Sequence, residues 1–103
     1  MSKKNPVKLV SLYLSKTFYD KLVELKKLKN EKSINSLIIK ILENDYNNFC
    51  IQIGTVTLQG ADNRVSLYCP VELYRWLEAI AKKFDRSVCY TIKFLLEYHI
   101  KHL

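Results

Sequence analysis

Apolar and polar side chains alternate in two short stretches that share one four-residue string. Val10-Ser11-Leu12-Tyr13 recurs letter for letter as Val65-Ser66-Leu67-Tyr68. Alternation with a period of two is typical of a β-strand that buries one face. A strand this short is not stable by itself, and even an isolated two-stranded hairpin is marginal. The pattern therefore predicts that the two strands pair with each other.

Each predicted strand is followed by two stretches with helical periodicity. In the first half, Ser15 can cap one helix and Ser33 a second. The first helix is expected to bury a stripe of four residues, Phe18, Leu22, Leu25 and Leu28. In the second half, Pro70 suits a first helical turn and Ser87 can cap the next helix. The predicted fold is mainly α with a two-stranded antiparallel β-ribbon.

The two halves align as a tandem repeat with one gap. Leu12 matches Leu67 at an offset of 55 residues, whereas Ser33 matches Ser87 at an offset of 54. The gap falls in the polar break between two helices, where insertions are tolerated. The predicted organisation is a first repeat at 1–49, a linker at 50–63 and a second repeat at 64–103. Alternation within the linker leaves two interpretations open, a partly ordered connection and an extra edge strand.

The charge of the chain narrows the class of partner. Its 17 Lys and Arg exceed its 10 Asp and Glu, which gives a formal net charge of +7. Small proteins this basic commonly bind a polyanion. The excess is larger in residues 1–48, which hold ten Lys and five acidic residues. Residues 1–6 form a basic arm, interpreted either as a flexible start or as an arm that contacts phosphate.

Composition also limits the class of protein. No apolar run approaches the ~18 residues of a membrane-spanning helix, and the N-terminus lacks the apolar segment of a secretory signal. We therefore expect a cytoplasmic protein with no membrane partner. Three cysteines without CxxC spacing, Cys50, Cys69 and Cys89, argue against a disulfide framework or a zinc site. Cys69 and Cys89 are expected to be small buried hydrophobes.

The titratable residues do not form a recognisable catalytic set. His99 and His102 fall at the end of the last predicted helix, where the helix dipole favours them. Four acidic residues fit solvent-facing helix positions: Asp20, Glu24, Glu43 and Glu97. The sequence has no glycine-rich phosphate loop. We expect no enzyme activity, no cofactor, no metal and no small-molecule substrate.

The order strand, helix, polar turn, helix resembles the ribbon-helix-helix family of DNA-binding proteins, such as the Arc and methionine repressors. Ser33-Ile34-Asn35-Ser36 looks like the Ser-Val-Asn-Ser string that opens the second helix in Arc-like members. Tyr68-Cys69-Pro70 is similar to the family's strand end, and the spacing from Pro70 to Ser87 also matches. Two copies in one chain resemble the fused pseudo-dimers found among plasmid-transfer proteins and regulators of archaeal viruses.

In that family, paired strands form a ribbon that lies in the major groove of DNA. The resemblance implies a sequence-specific transcriptional regulator of double-stranded DNA, such as a repressor, whose chains can assemble side by side on DNA. The implied base-reading residues are Leu9, Ser11, Tyr13, Arg64, Ser66 and Tyr68. Arg64 could contact guanine through two hydrogen bonds, whereas Leu9 departs from the polar residue usual in the family. Alternatively, Tyr13 and Tyr68 only stabilise the ribbon as cross-strand partners.

The resemblance also implies phosphate-binding sites at the start of the second helix of each repeat. Exposed N–H groups and the helix dipole favour an anion there. The implied residues are Lys32, Ser33, Asn35, Ser36, Arg86 and Ser87. Capping alone is the alternative role of the serines, and the two roles are compatible.

Two other functions fit the same sequence. One is an antitoxin-like DNA-binding autoregulator that also captures a toxin. The other is a protein-interaction module whose strands pair with a partner's sheet edge.

Overall fold

A computed structural model of the protein describes residues 6–47, 54–58 and 60–101. Its elements follow the order β1 (Val7–Leu14), α1 (Lys16–Leu28), α2 (Ile34–Asn47), β2 (Asn63–Pro70), α3 (Val71–Lys83) and α4 (Val88–Lys101). The strands form one antiparallel sheet, which confirms the predicted mainly-α fold with a two-stranded ribbon. None of the helices in these ranges is long and apolar enough to cross a membrane. The interpretations of residues 1–5, Cys50 and His102 lie outside the described residues.

The two strands pair along their whole length. On one face of the ribbon, three pairs lie opposite each other: Leu9 with Tyr68, Ser11 with Ser66, and Tyr13 with Arg64. The other face packs inward, and its buried side chains are Val10, Leu12 and Leu14 from β1 and Val65, Leu67 and Cys69 from β2. The alternation seen in the sequence therefore separates an inner apolar face from an outer face.

The helices pack into one core with the inner face of the ribbon. This core takes buried side chains from all four helices, among them Phe18 of α1, Leu42 of α2, Leu77 of α3 and Leu96 of α4. At the start of α1, Ser15 acts as the predicted N-cap, since its Oγ accepts a hydrogen bond from the Phe18 N–H at 3.1 Å. The core is thus shared between the two halves of the chain.

The prediction for Leu28 is wrong, because this side chain is 76% exposed. Successive helical residues turn by about 100°. Phe18, Leu22 and Leu25 stay close to one direction on this helix, whereas Leu28 lies about 80° away from Phe18 around the axis. The buried stripe of α1 therefore ends at Leu25.

The same turn ends the first helix of each half. Asn30 and Asp85 both have φ of 55°, the left-handed region in which Asn and Asp are tolerated. The next N–H in each turn reaches back into the helix, from Glu31 to the Lys26 carbonyl at 3.0 Å and from Arg86 to the Ala81 carbonyl at 2.7 Å. This is the Schellman pattern of a helix C-terminus. It sets the direction in which α2 and α4 begin.

Two boundaries in the second half differ from the prediction. Strand β2 begins at Asn63, one residue before the predicted start of the second repeat at 64, and includes Pro70. Pro70 is the N-cap of α3, with φ of −54° and ψ of 139°, rather than a residue of its first turn. The extended ψ of Pro70 explains the shift, since only the following residue takes up helical geometry.

The connection before β2 does not add a strand within its described parts, residues 54–58 and 60–62. It runs along α4 instead. The buried Val56 donates its N–H to the Tyr90 phenol at 2.8 Å, and the Thr57 and Leu58 N–H groups donate to the Glu97 carboxylate at 2.9 and 2.6 Å. In this part of the connection, side chains of α4 thus satisfy the backbone groups that an edge strand would pair.

Glu97 is therefore not a solvent-facing helix residue, as its position in the helical pattern had predicted. It is 2% exposed. Burial raises its pKa, but hydrogen bonds from the Leu58 and Thr57 N–H groups and from Lys101 outweigh burial and hold the pKa below its usual value. The aligned residue in the first half, Glu43, is exposed. The two halves thus differ at this pair of acids.

Two further side chains have partners that the sequence did not indicate. His99 was assigned to the helix dipole, but its Nε2 lies 2.8 Å from Oδ1 of Asp45, a buried residue of α2. Cys69 is fully buried as predicted, and burial together with Glu43 raises its pKa to about 11. Cys89 is only partly buried.

Candidate nucleic-acid interface

The outer face of the ribbon collects all six side chains to which the resemblance to the ribbon-helix-helix family assigns base reading. These six side chains form the three cross-strand pairs described above. Leu9, Tyr13 and Tyr68 are each about half exposed, at 53%, 49% and 56%. Arg64 and Ser66 are exposed as well, and Ser11 is half-buried. Exposed tyrosines and leucine on a strand face contribute little to the core, so this surface is available to a partner.

Arg64 connects the two strands across this face. Its Nη2 donates to the Ser11 Oγ at 3.3 Å. The interaction joins a side chain of β2 to one of β1 on the outer face. A guanidinium has five N–H donors, so this one bond leaves capacity for a ligand.

The start of a helix lies beside each edge of the ribbon. At the β2 edge, the Asn35 Oδ1 accepts a hydrogen bond from the Tyr68 N–H at 2.8 Å. At the β1 edge, the Cys89 Sγ donates to the Ser11 carbonyl at 3.6 Å. Asn35 and Cys89 occupy aligned positions, the second residues of α2 and α4. These contacts satisfy edge groups of the ribbon and hold one helix N-terminus at each of its edges.

At the start of α2, the predicted phosphate-binding residues also have structural roles. The Ser33 Oγ accepts from the Ser36 N–H at 3.0 Å, which caps the helix. The Ser36 hydroxyl donates to Glu31 at 3.0 Å, and Glu31 pairs with Lys40 at 2.8 Å. The hydrogen bond from Lys40 lowers the pKa of Glu31, against the opposing effect of its burial. Lys32 and Ser33 remain exposed.

The start of α4 is built in the same way. The Ser87 Oγ accepts from the Tyr90 N–H at 3.0 Å, and the Ser87 carbonyl accepts from the Thr91 hydroxyl at 2.9 Å. The Arg86 guanidinium lies over the Tyr90 ring, 5.2 Å from its centroid. A cation in this position is oriented by the ring. Arg86 and Ser87 are exposed.

Sequence reasoning missed one residue of the outer face. Val7 is 53% exposed and lies two positions before Leu9, on the same side of β1. The alternation of the strand contains this signal, because every second residue shares a face. Val7 pairs with Pro70, so this end of the ribbon is apolar over two successive layers.

Comparisons with known proteins do not assign the surface. No family model, curated protein or solved structure matches the chain. Within the described residues, no group of three or more His, Cys, Asp or Glu side chains is placed to hold a metal ion. The role of the ribbon has to be inferred from its own geometry and chemistry.

Proposed function

We propose that the protein is a tandem ribbon-helix-helix transcriptional regulator that binds double-stranded DNA with its β-ribbon in the major groove. The observation that carries this proposal is the exposed outer face of the ribbon, flanked at both edges by helix N-termini. The groove is about 12 Å wide and admits a two-stranded ribbon.

The register of the ribbon supports a pseudo-dimer made from one chain. Ser11 aligns with Ser66 in the repeated sequence and also lies opposite it in the sheet. Tyr13 and Tyr68, which align with each other, lie at equal distances from this central pair. A two-fold axis through the Ser11–Ser66 pair would relate the halves, as an axis relates two chains in a dimeric ribbon. DNA half-sites have the same symmetry.

The chemistry of the outer face suits base edges. Two serine hydroxyls at the centre can donate or accept, and a tyrosine towards each end adds a phenol and a flat apolar ring. Arg64 can bind the O6 and N7 acceptors of guanine.

The flanking helix starts suit phosphates. Each offers N–H groups and the positive end of a helix dipole. Each also has one exposed basic residue directly before its capping serine, Lys32 at α2 and Arg86 at α4. With a net charge of +7, the chain as a whole favours approach to a polyanion. Capping and phosphate binding are compatible, because the cap takes up one N–H group at each start, that of Ser36 or Tyr90, and a helix start has further N–H groups for an anion.

Selection from a random duplex library, followed by titration at several salt concentrations, tests this function. We expect enrichment of a defined sequence and affinity that falls with salt. Neutralisation of two phosphates alone predicts about a tenfold loss between ~50 and ~200 mM salt. A scrambled duplex of equal length is the control for specificity. Failure to enrich any sequence, or binding that is independent of salt, would contradict the proposal.

A further inference from the structure

Each end of the ribbon's outer face has one cross-strand pair that contains a tyrosine, and the residue opposite the tyrosine differs between the two ends. Each end has a tyrosine, Tyr68 at one and Tyr13 at the other. Tyr68 lies opposite Leu9, whereas Tyr13 lies opposite Arg64. Leu9 and Arg64 are aligned positions of the repeat. The pseudo-two-fold arrangement thus places a leucine where its counterpart places an arginine.

The next layer strengthens this difference. Beyond Leu9 lies Val7, and both side chains are 53% exposed. The position aligned with Val7 is Asp62, whose Oδ2 accepts from the Lys16 N–H at 3.2 Å at the start of α1. Beyond its tyrosine, one end of the face is therefore apolar, whereas the other carries Arg64 and has no apolar residue at the position aligned with Val7.

These surfaces match different base edges. In the major groove, thymine presents a 5-methyl group, which apolar side chains contact, whereas guanine presents two acceptors that arginine binds. Packing an exposed leucine or valine against a methyl group removes apolar surface of both groups from water, and this burial favours binding.

We propose that the ribbon reads an asymmetric site, with thymine methyl groups against the Val7–Leu9 end and a guanine against Arg64. This inference rests on the proposed function, because it names the bases that the same face selects. Leu9 and Arg64 are then the residues that determine specificity. The central Ser11–Ser66 pair lies over the middle of the site.

Exchange of the two residues tests the inference. Random-duplex selection is carried out with the wild-type chain, with Leu9→Arg and with Arg64→Leu. We expect a non-palindromic site for the wild type. Leu9→Arg should select a palindrome with guanine in both halves, and Arg64→Leu a palindrome rich in thymine. Both positions are exposed on the surface of the ribbon, so the substitutions leave the core unchanged.

Removal of the methyl groups gives a second, chemical test. Thymines of the selected site are replaced one at a time by deoxyuridine, which lacks only the 5-methyl group. We expect about a three- to fivefold loss of affinity per contacted methyl in the half bound by Leu9. Leu9→Ala should reduce this difference, while replacements in the half bound by Arg64 should have little effect.

The outcomes separate the inference from the proposed function. A palindromic site for the wild type, or a non-palindromic site that Leu9→Arg leaves unchanged, would overturn the inference while sequence-specific binding stands. Equal affinity for thymine and deoxyuridine duplexes throughout the site would also overturn it. Enrichment of no sequence by any of the three chains would instead refute the proposed function.

Discussion

At the scale of single residues, Glu97 shows how a local pattern and the folded environment can disagree. Glu43 and Glu97 occupy aligned positions on α2 and α4, and the helical period assigns both to the surface. Glu97 is buried because the connection from residue 54 to 58 lies over it and donates two N–H groups to its carboxylate. The hydrophobic pattern of α4 gives no information on where residues 54–58 lie, so sequence alone could not have predicted the contact.

We predict that Glu97→Gln destabilises the protein by about 1–3 kcal/mol. The amide oxygen can replace Oε1, which accepts from both N–H groups, but the NH₂ group replaces Oε2, which accepts from the Thr57 N–H at 3.1 Å and pairs with Lys101 at 3.3 Å. The substitution therefore removes an acceptor and the negative charge that pairs with Lys101. Urea unfolding measures the free energy of unfolding. Glu43→Gln is the matched control, because the aligned carboxylate is exposed, and it should change stability by less than about 0.5 kcal/mol. Equal effects of the two substitutions would contradict the role assigned to Glu97.

We also predict that Glu97 makes the stability of the protein depend on pH. The folded-state pKa of Glu97 lies below its ordinary value of 4.5. The unfolded chain therefore binds more protons than the folded chain between these two pKa values, and stability rises with pH through this window. The contribution is fully present above pH 4.5 and is lost as the pH falls through the folded pKa. Acid titration of stability should be less steep in Glu97→Gln than in wild type.

At the scale of elements, the strands and helices follow from local patterns. Alternation in Val7–Leu14 and Asn63–Pro70 assigned the inner and outer faces of the ribbon, because successive strand residues point to opposite sides. Helical periodicity located the four helices but wrongly assigned Leu28 to the buried side of α1, although this residue lies outside the buried stripe and is exposed. The residues beside the ribbon edges, Asn35 and Cys89, were located on their helices, but their strand contacts were not predictable from spacing.

The ribbon and the helix starts are expected to have separable effects on DNA binding. We predict that Arg64→Ala reduces discrimination between the selected and the scrambled duplex by about 1–3 kcal/mol. Lys32→Ala should weaken both duplexes alike and reduce the slope of log affinity against log salt by about 1. Titrations of both duplexes over a range of salt measure the two quantities.

Lys21→Ala provides a control for the loss of one positive charge. Lys21 is exposed on α1, outside the ribbon and both helix starts. It should leave both discrimination and the salt slope close to those of wild type. If Lys32→Ala and Lys21→Ala behave alike, the start of α2 does not bind phosphate. If Arg64→Ala retains full discrimination, Arg64 does not read a base.

At the scale of the whole molecule, the two halves share one core. The inner face of the ribbon contains three residues from each strand, and all four helices pack with it. Each half in this arrangement packs its buried side chains against those of the other half. The halves are therefore expected to unfold together.

The position of the single tryptophan makes this testable. Trp76 lies on α3, in the second half. We predict that Leu22→Ala, in the first half, costs about 2–5 kcal/mol and shifts the Trp76 fluorescence transition and the circular dichroism transition in urea together. Leu28→Ala, on the same helix but 76% exposed, is the control and should shift neither. A Trp76 transition unaffected by Leu22→Ala would show that the halves fold independently.

The sequence by itself determined the elements and the inner and outer faces of the ribbon. Each depends on a period of two or of 3.6 residues, which residues close together in the sequence display. Only the tertiary structure decided the register centred on Ser11 and Ser66, the contacts of Asn35 and Cys89, and the burial of Glu97 beneath the connection. These features join residues more than 30 positions apart, and such contacts depend on how whole elements pack rather than on any local pattern.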